Sequence, residues 1–290
     1  MNPTEIWEML VRPSQGESVM TFHLNRHWIP IAIIAVSAAI SPTVASAETS
    51  IVIGFQQEPT SLDPTADATA SIDGMLAQNV YESLTTVNEE GEVKPQLAES
   101  WTVSDDGLTY VFDLVDGATF HDGTGFDAED VVFSFNRAMD EDSVNPTKKL
   151  FKPIESVLAT DAGTIEIKLK QTDAFFLFNM AQGDASIVAP ESFETNNATP
   201  VGTGPFKYES WTRGDKLILT KNADHRNAGS VALDRVEFKF ISDAAAASAA
   251  LLSEEIDAFP GFPAPELLPQ FDADPRFNVV VGSTEGEVIL

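Results

Sequence analysis

Alternation of apolar and polar residues along the chain predicts several β-strands. In TYVFDLV (109–115), TIEIKLK (164–170) and LDRVEFKFI (233–241), every second residue is apolar, as in a strand with one buried face. Two short apolar runs, SIVIGF (50–55) and FNVVVG (277–282), predict buried strands. Turn residues between apolar stretches predict two hairpins, one turning at Asp105-Asp106-Gly107 and one at Arg213-Gly214-Asp215.

Apolar residues at helical spacing predict helices between these strands. The segments are ASIDGMLAQNVYESL (70–84), DAEDVVFSFNRAMD (127–140), DAFFLFNMA (173–181) and the first part of DAAAASAALLSEEIDAF (243–259). Asp127 is the predicted N-cap of the second helix, and Asp130 is placed to support its first turn. Strands and helices follow one another without an internal repeat, which predicts a mixed α/β fold.

The N-terminal segment NRHWIPIAIIAVSAAISPTVASA (25–47) has the order of a secretory signal. Arg26 precedes an apolar stretch, and small residues at Ala45 and Ala47 end the segment. The apolar stretch is shorter than the roughly 20 residues that span a bilayer. We therefore expect translation to start at Met20, cleavage after Ala47, a periplasmic product made of residues 48–290, and no stable membrane insertion after cleavage.

Composition and charge exclude several classes of function. The 290 residues include 17 Lys and Arg against 45 Asp and Glu, a formal net charge of −28, which disfavours nucleic acid and anionic lipid as partners. The chain has no cysteine, which excludes a thiol nucleophile, a zinc–thiolate site and any disulfide. Hydrophobic residues make up 43 %, enough to build a core.

The stretch FHDGTGFDAEDVVFSFNRAMD (120–140) could be an active site, a metal site or scaffold. Removal of the leader would leave only His121 and His225, too few for a catalytic zinc site, and the acidic loop lacks the EF-hand order. The chain has no G-x-S-x-G elbow, Walker sequence or G-x-G-x-x-G. Hydrogen bonding of His121 and Asp122 within a turn before a capped helix favours scaffold. We predict no catalytic residue, metal or cofactor.

The segment 97–139 resembles the signature of the family 5 extracellular solute-binding proteins, the dipeptide, oligopeptide and nickel class. Three further segments agree in order and spacing: EPTSLDP (58–64), NVYESL (79–84) and GTGPFKYESWTRGDKLILTKN (202–222). Thr124-Gly125-Phe126 departs from the Pro that members often carry in this turn. The signature residues to which we assign a structural role are Trp101, Asp106, Gly107, His121, Asp122, Gly123, Asp130 and Arg137.

The resemblance implies one part of a two-lobed periplasmic clamshell of class II. Segments 51–90 and 200–282 would form the first lobe, and 91–199 an inserted β-rich subdomain. Family members are roughly twice this length, so the second lobe, with the residues that clamp a peptide's amino end, would be missing. We therefore expect a truncated chain.

The resemblance also implies a binding protein rather than an enzyme. Such a protein captures di- or oligopeptides and delivers them to the permease subunits of an ABC importer. The loop after the first strand would line the ligand cleft, with Glu58, Pro59 and Thr60 as ligand contacts. Two alternatives stay open: a receptor for a metal chelate of the nickel type or another small solute, and a secreted hydrolase that uses Asp and Glu.

Overall fold

Ten strands, five α-helices and five short 3-10 helices form the described part of the chain. The computed structural model describes residues 48–67 and 69–281. The strands are β1 (Ser50–Phe55), β2 (Thr85–Val87), β3 (Val93–Pro95), β4 (Ala98–Val103), β5 (Thr109–Leu114), β6 (Ile154–Asp161), β7 (Thr164–Leu169), β8 (Phe206–Thr212), β9 (Lys216–Lys221) and β10 (Arg235–Phe240). The helices are α1 (Ala70–Leu76), α2 (Ala128–Met139), α3 (Phe176–Asn179), α4 (Ala244–Leu252) and α5 (Leu268–Asp272). The mixed α/β fold expected from the sequence is confirmed.

The first sheet combines the first described strand, β1, with three strands from residues 206–240. Its strand order is β1-β10-β9-β8, with β1 parallel to β10 and the other pairs antiparallel. Helix α1 packs on it, and the shared core includes Ile72, Met75, Leu217, Leu219 and Phe238, each at most 2 % exposed. Alternation in β10 buries Val236 and Phe238 on this face, as the sequence pattern predicts.

The second sheet is antiparallel throughout, in the order β4-β5-β7-β6. Helix α2 packs on it through Val131 and Phe135, which meet Phe112, Ile165 and Ile167 in a separate buried cluster. The predicted helix start is confirmed, because the Asp127 carboxylate accepts a hydrogen bond from Glu129 N (2.8 Å) and the Asp130 carboxylate accepts one from Asp127 N (2.9 Å).

The described residues belong to one compact unit, so division into a lobe and a subdomain stays a prediction.

The helix predicted over 70–84 is wrong in its second half, since α1 ends at Leu76. Gln78 adopts a left-handed conformation (φ 65°), which a continuous helix does not allow. The carbonyls of Asn79 and Val80 accept hydrogen bonds from Phe206 N and Gly204 N instead of helical partners. Pairing with a distant segment therefore overrides local helical spacing.

The strand predicted over 277–282 is also wrong for its described residues. Residues 277–281 form no strand, and Val280 and Val281 are 82 % and 81 % exposed. No described segment pairs with them, and only Phe277 and Val279 pack against a small cluster around Phe271. An apolar run becomes a buried strand only where a partner strand is available.

The outer edge of β1 is covered by a segment that follows α4. Val52 N donates to the Asp257 carboxylate (2.7 Å), and Gly54 N donates to Ala258 O (2.8 Å). Ile53 and Ala258 thus form a parallel bridge. In the described ranges, no helix is both long and apolar enough to cross a membrane.

Candidate functional site

The carboxyl edge of the first sheet is the candidate ligand-binding face. Parallel strands β1 and β10 end side by side, with Phe55 opposite Phe240. The turn between β8 and β9 lies at the same edge, because β9 runs antiparallel to β10 and Asp215 O accepts a hydrogen bond from Phe240 N (2.9 Å). Open α/β sheets bind ligands beyond the carboxyl ends of their parallel strands. We call this edge, with loop 56–67 and turn 213–215, the carboxyl-edge face.

The three predicted ligand residues lie in this loop but differ in accessibility. Glu58 accepts hydrogen bonds from the Trp211 indole (3.0 Å) and from Gly214 N (3.0 Å), one on each carboxylate oxygen. Pro59 is buried, whereas Thr60 is exposed. Their contact with a ligand stays a prediction. The contacts that the structure shows for the Glu58 carboxylate are hydrogen bonds to the β8–β9 hairpin.

Arg213 also lies on this face, although the sequence predicts it only as part of a hairpin turn. Its guanidinium carbon lies 3.4 Å from the centroid of the Trp211 ring. Its Nη atoms lie 3.4 Å from the carbonyl oxygens of Pro59 and Thr60. Trp211 and Arg213 are two residues apart, so their side chains lie on the same face of the hairpin. This spacing is the feature of the sequence that indicates their contact.

The second half of the loop is held to the rest of the fold by a buried ion pair. Asp63 is 3 % exposed, and its carboxylate accepts from the backbone and hydroxyl of Thr65 (2.9 and 2.6 Å). Arg137 on α2 lies 3.5 Å from this carboxylate and donates to the Thr65 hydroxyl (2.6 Å). The Tyr81 hydroxyl donates to Leu62 O (3.1 Å). These bonds support a structural role for Arg137 and fix the base of the loop.

Both ring nitrogens of His121 form hydrogen bonds with the backbone of the glycine segment 202–204. Its Nε2 lies 2.9 Å from Gly204 O, and its Nδ1 accepts from Gly202 N (3.3 Å). This pattern requires the neutral ring, and burial lowers the pKa of His121 from 6.5 to about 4. The predicted hydrogen bonding of His121 within its own turn is therefore wrong, because its ring bonds to a distant segment, but these bonds support the proposed structural role. Within 48–67 and 69–281, no group of three or more His, Asp or Glu is arranged to hold a metal ion.

We expect His121 to make the fold less stable in mild acid. As pH falls from about 6.5 to about 4, the unfolded chain binds a proton at this ring that the folded chain excludes, so stability is lost over this window. The melting temperature of the natural protein should fall more between pH 7 and pH 5 than that of His121→Gln, whose amide does not titrate. Equal falls in the two proteins would contradict this role of the ring.

The other signature residues lie in turns and on the second sheet. The Asp122 carboxylate accepts from Thr124 N (3.0 Å), and Gly123 has φ 92°, so this turn needs glycine. Asp106 accepts from Leu108 N (3.0 Å) in the β4–β5 hairpin, where Gly107 follows. Trp101 packs on Phe112 with ring centroids 6.2 Å apart. These positions support structural rather than ligand-binding roles.

A polar cavity of about 470 Å³ lies at the opposite, amino end of the first sheet, next to the residues that follow β9. Glu82 and Arg226 form a two-bond ion pair in its wall (2.6 and 2.7 Å), and His225 lies 3.5 Å from the same carboxylate. Burial alone would raise the pKa of Glu82, but hydrogen bonds from His225 and Arg226 hold it below its ordinary value. The charged side chains of Glu82 and Arg226 in this wall are therefore paired with each other.

Comparison with known proteins gives the family. The model of the bacterial extracellular solute-binding proteins, family 5, matches residues 92–289. The glutathione-binding protein GsiB of Salmonella typhi is 31 % identical over 246 residues, covering 83 % of this chain and 48 % of GsiB.

Two solved structures are similar over most of this chain. DppA of Helicobacter pylori, in complex with the peptide STSA, has a TM-score of 0.70 at 30 % identity and covers 78 % of this chain and 49 % of DppA. NikZ of Campylobacter jejuni, in complex with Ni(L-His), has a TM-score of 0.68 at 28 % identity and covers 78 % of this chain and 45 % of NikZ. This chain spans about half the length of the curated relatives it matches. It has the mixed α/β fold of periplasmic binding proteins and belongs to the family 5 bacterial extracellular solute-binding proteins.

Proposed function

We propose that this chain captures peptides and delivers them to the permease of an ABC importer. The observation that carries the proposal is the family match together with an open carboxyl-edge face, where Gln56, Gln57 and Thr60 are exposed beyond β1. GsiB binds glutathione and DppA was solved with a peptide, which supports a peptide as the solute. An extended peptide presents backbone donors and acceptors that such a loop can pair.

The chemistry of the carboxyl-edge face favours binding over catalysis. Glu58 has both carboxylate oxygens engaged by Trp211 and Gly214, so it is not free to act as an acid or base. A metal-chelate receptor is the second candidate, since NikZ was solved with nickel and histidine. Its ligand would bring its own metal ligands, so it needs few from the protein.

Isothermal titration tests the proposal. The translation product of the whole open reading frame is titrated with glutathione, with di- to pentapeptides and with nickel–histidine, and the recovered peptides are examined for cleavage by mass spectrometry. We expect saturable binding of at least one peptide without cleavage. Binding of nickel–histidine alone would select the second candidate, and peptide turnover would support a hydrolase.

We also propose that the protein works in the periplasm after cleavage behind Ala47. The leader lies outside the described residues, so the support is the order of Arg26, the apolar stretch and Ala45-Ser46-Ala47. Sequencing the N-terminus of protein from a periplasmic extract should give Glu48 first. A different first residue, or protein retained in the cytoplasm, would contradict this proposal.

A further inference from the structure

Three cationic side chains of the described residues lie at the carboxyl-edge face, Arg213, Lys216 and Lys239, and two of them are paired. Lys216 bonds to Glu237 (3.1 Å), and Lys239 bonds to Glu255. Arg213 is exposed and has no carboxylate at ion-pair distance among residues 48–67 and 69–281. The chain has a formal charge of −28, yet among the described residues Arg213 has no acidic partner at the edge where a ligand would approach.

The Arg213 side chain is held in place before any ligand binds. Its guanidinium stacks on Trp211, whose indole is fixed by Glu58. The same carboxylate fixes Gly214 N, so it holds the turn on both sides of Arg213. Stacking removes much of the rotamer freedom that a long side chain otherwise loses on binding.

Most of the hydrogen-bonding capacity of Arg213 remains available. A guanidinium has five N–H donors, and the two contacts to Pro59 O and Thr60 O are long, at 3.4 Å each. The planar fork of a guanidinium matches the two oxygens of a carboxylate. A carboxylate is therefore the group that best completes this arrangement.

We propose that Arg213 binds a carboxylate of the captured solute and that Glu58 is a positioning residue for it. The inference rests on the proposed function, and it narrows the solute to molecules with an accessible carboxylate. Either the terminal carboxylate of a peptide or an acidic side chain would supply the group. Glu58 thus acts through Trp211 and the turn rather than by touching the ligand.

The first test measures affinity for matched probes. Ala-Ala-Ala is compared with its C-terminal amide, and Ala-Glu-Ala with Ala-Gln-Ala, in the natural protein, Arg213→Ala and Arg213→Lys. We expect Arg213→Ala to weaken binding of the probe that carries the recognised carboxylate about tenfold or more, as for a charged hydrogen bond, and to leave its neutral partner unchanged. Arg213→Lys should restore part of the loss, because it keeps the charge without the planar fork.

Arg235→Ala is the matched control. Arg235 lies at the other end of β10 and pairs with Glu209 (2.6 Å), so its removal changes the net charge equally but away from the face. It should leave the difference between acid and neutral probes intact. An equal loss for both members of each pair in Arg213→Ala would show that Arg213 only supports loop 58–60 and would overturn the inference.

A second measurement separates this inference from the proposed function. Acetate is titrated at constant ionic strength while the NMR signals of the arginine side chains are followed. We expect a saturable shift at Arg213 that is absent with chloride and reduced in Glu58→Gln. If no peptide binds the natural protein, the proposed function is wrong, and this titration alone then decides the inference, which a flat Arg213 signal would overturn.

Discussion

Arg226→Met should lower the free energy of unfolding by about 3–5 kcal/mol, the usual result of removing one partner from a buried ion pair. The Glu82 side chain is 4 % exposed, so without Arg226 it would stay buried, and His225 would be its remaining partner among the described residues. The protein would then relieve the unpaired charge by binding a proton at Glu82. Urea unfolding at pH 7 and pH 5 measures the loss, which should be smaller at the lower pH.

Lys94→Met is the control for that variant. Lys94 and Glu92 form a pair of similar length (2.6 Å), but their side chains are 47 % and 61 % exposed. Such surface pairs contribute about 0–1 kcal/mol, so this variant should unfold almost like the natural protein. Similar losses in Arg226→Met and Lys94→Met would contradict the importance of burial for the Glu82–Arg226 pair.

Gly202→Ala should destabilise the protein by about 3 kcal/mol or more, at the upper end of the cost of overpacking. A Cβ at this position would overlap the carbonyl oxygen of Val80, and that oxygen cannot retreat because it accepts a hydrogen bond from Gly204 N (2.9 Å). His121 N also donates to Gly202 O (2.8 Å), so the glycine segment is held from both sides. Urea unfolding, or loss of soluble protein, reports the effect.

Gly229→Ala provides the matched comparison. Gly229 lies in an exposed turn, and nothing stands within 4 Å of the position that a Cβ would occupy. This variant should unfold within about 0.5 kcal/mol of the natural protein, as surface substitutions do. Tolerance of alanine at Gly202 to the same degree would mean that the close approach to Val80 is not required.

Most strands were predictable because their own sequences show which residues are buried. In β5, β7 and β10, alternate residues are buried, and the alternation is visible in the residues themselves. The early end of α1 was not predictable in this way. It depends on Gly204 N and Phe206 N, more than 120 residues further along the chain, which donate hydrogen bonds to the carbonyls of Val80 and Asn79. Local spacing carries no information about such a partner.

The candidate site was predictable only in part for a similar reason. The family resemblance implied that the loop after β1 lines the ligand cleft. The partner of Glu58 could not be predicted, because Trp211 lies 153 residues away in a hairpin whose packing the sequence does not show. The sequence does not show that Trp211 and Gly214 donate hydrogen bonds to the Glu58 carboxylate.

The covering of both edges of β1 has a consequence for how the chain acquires its fold. Its neighbours are β10 on one side and residues 257–258 on the other, which follow it by about 180 and 200 residues. The first strand of the described residues therefore cannot pair until almost the whole described chain has been synthesised. Contacts within the second sheet are much closer in sequence, and such local contacts form faster than distant ones. During synthesis, β1 therefore appears before the other described strands but pairs after the strands of the second sheet. Its edges stay open to other binding partners in the interval.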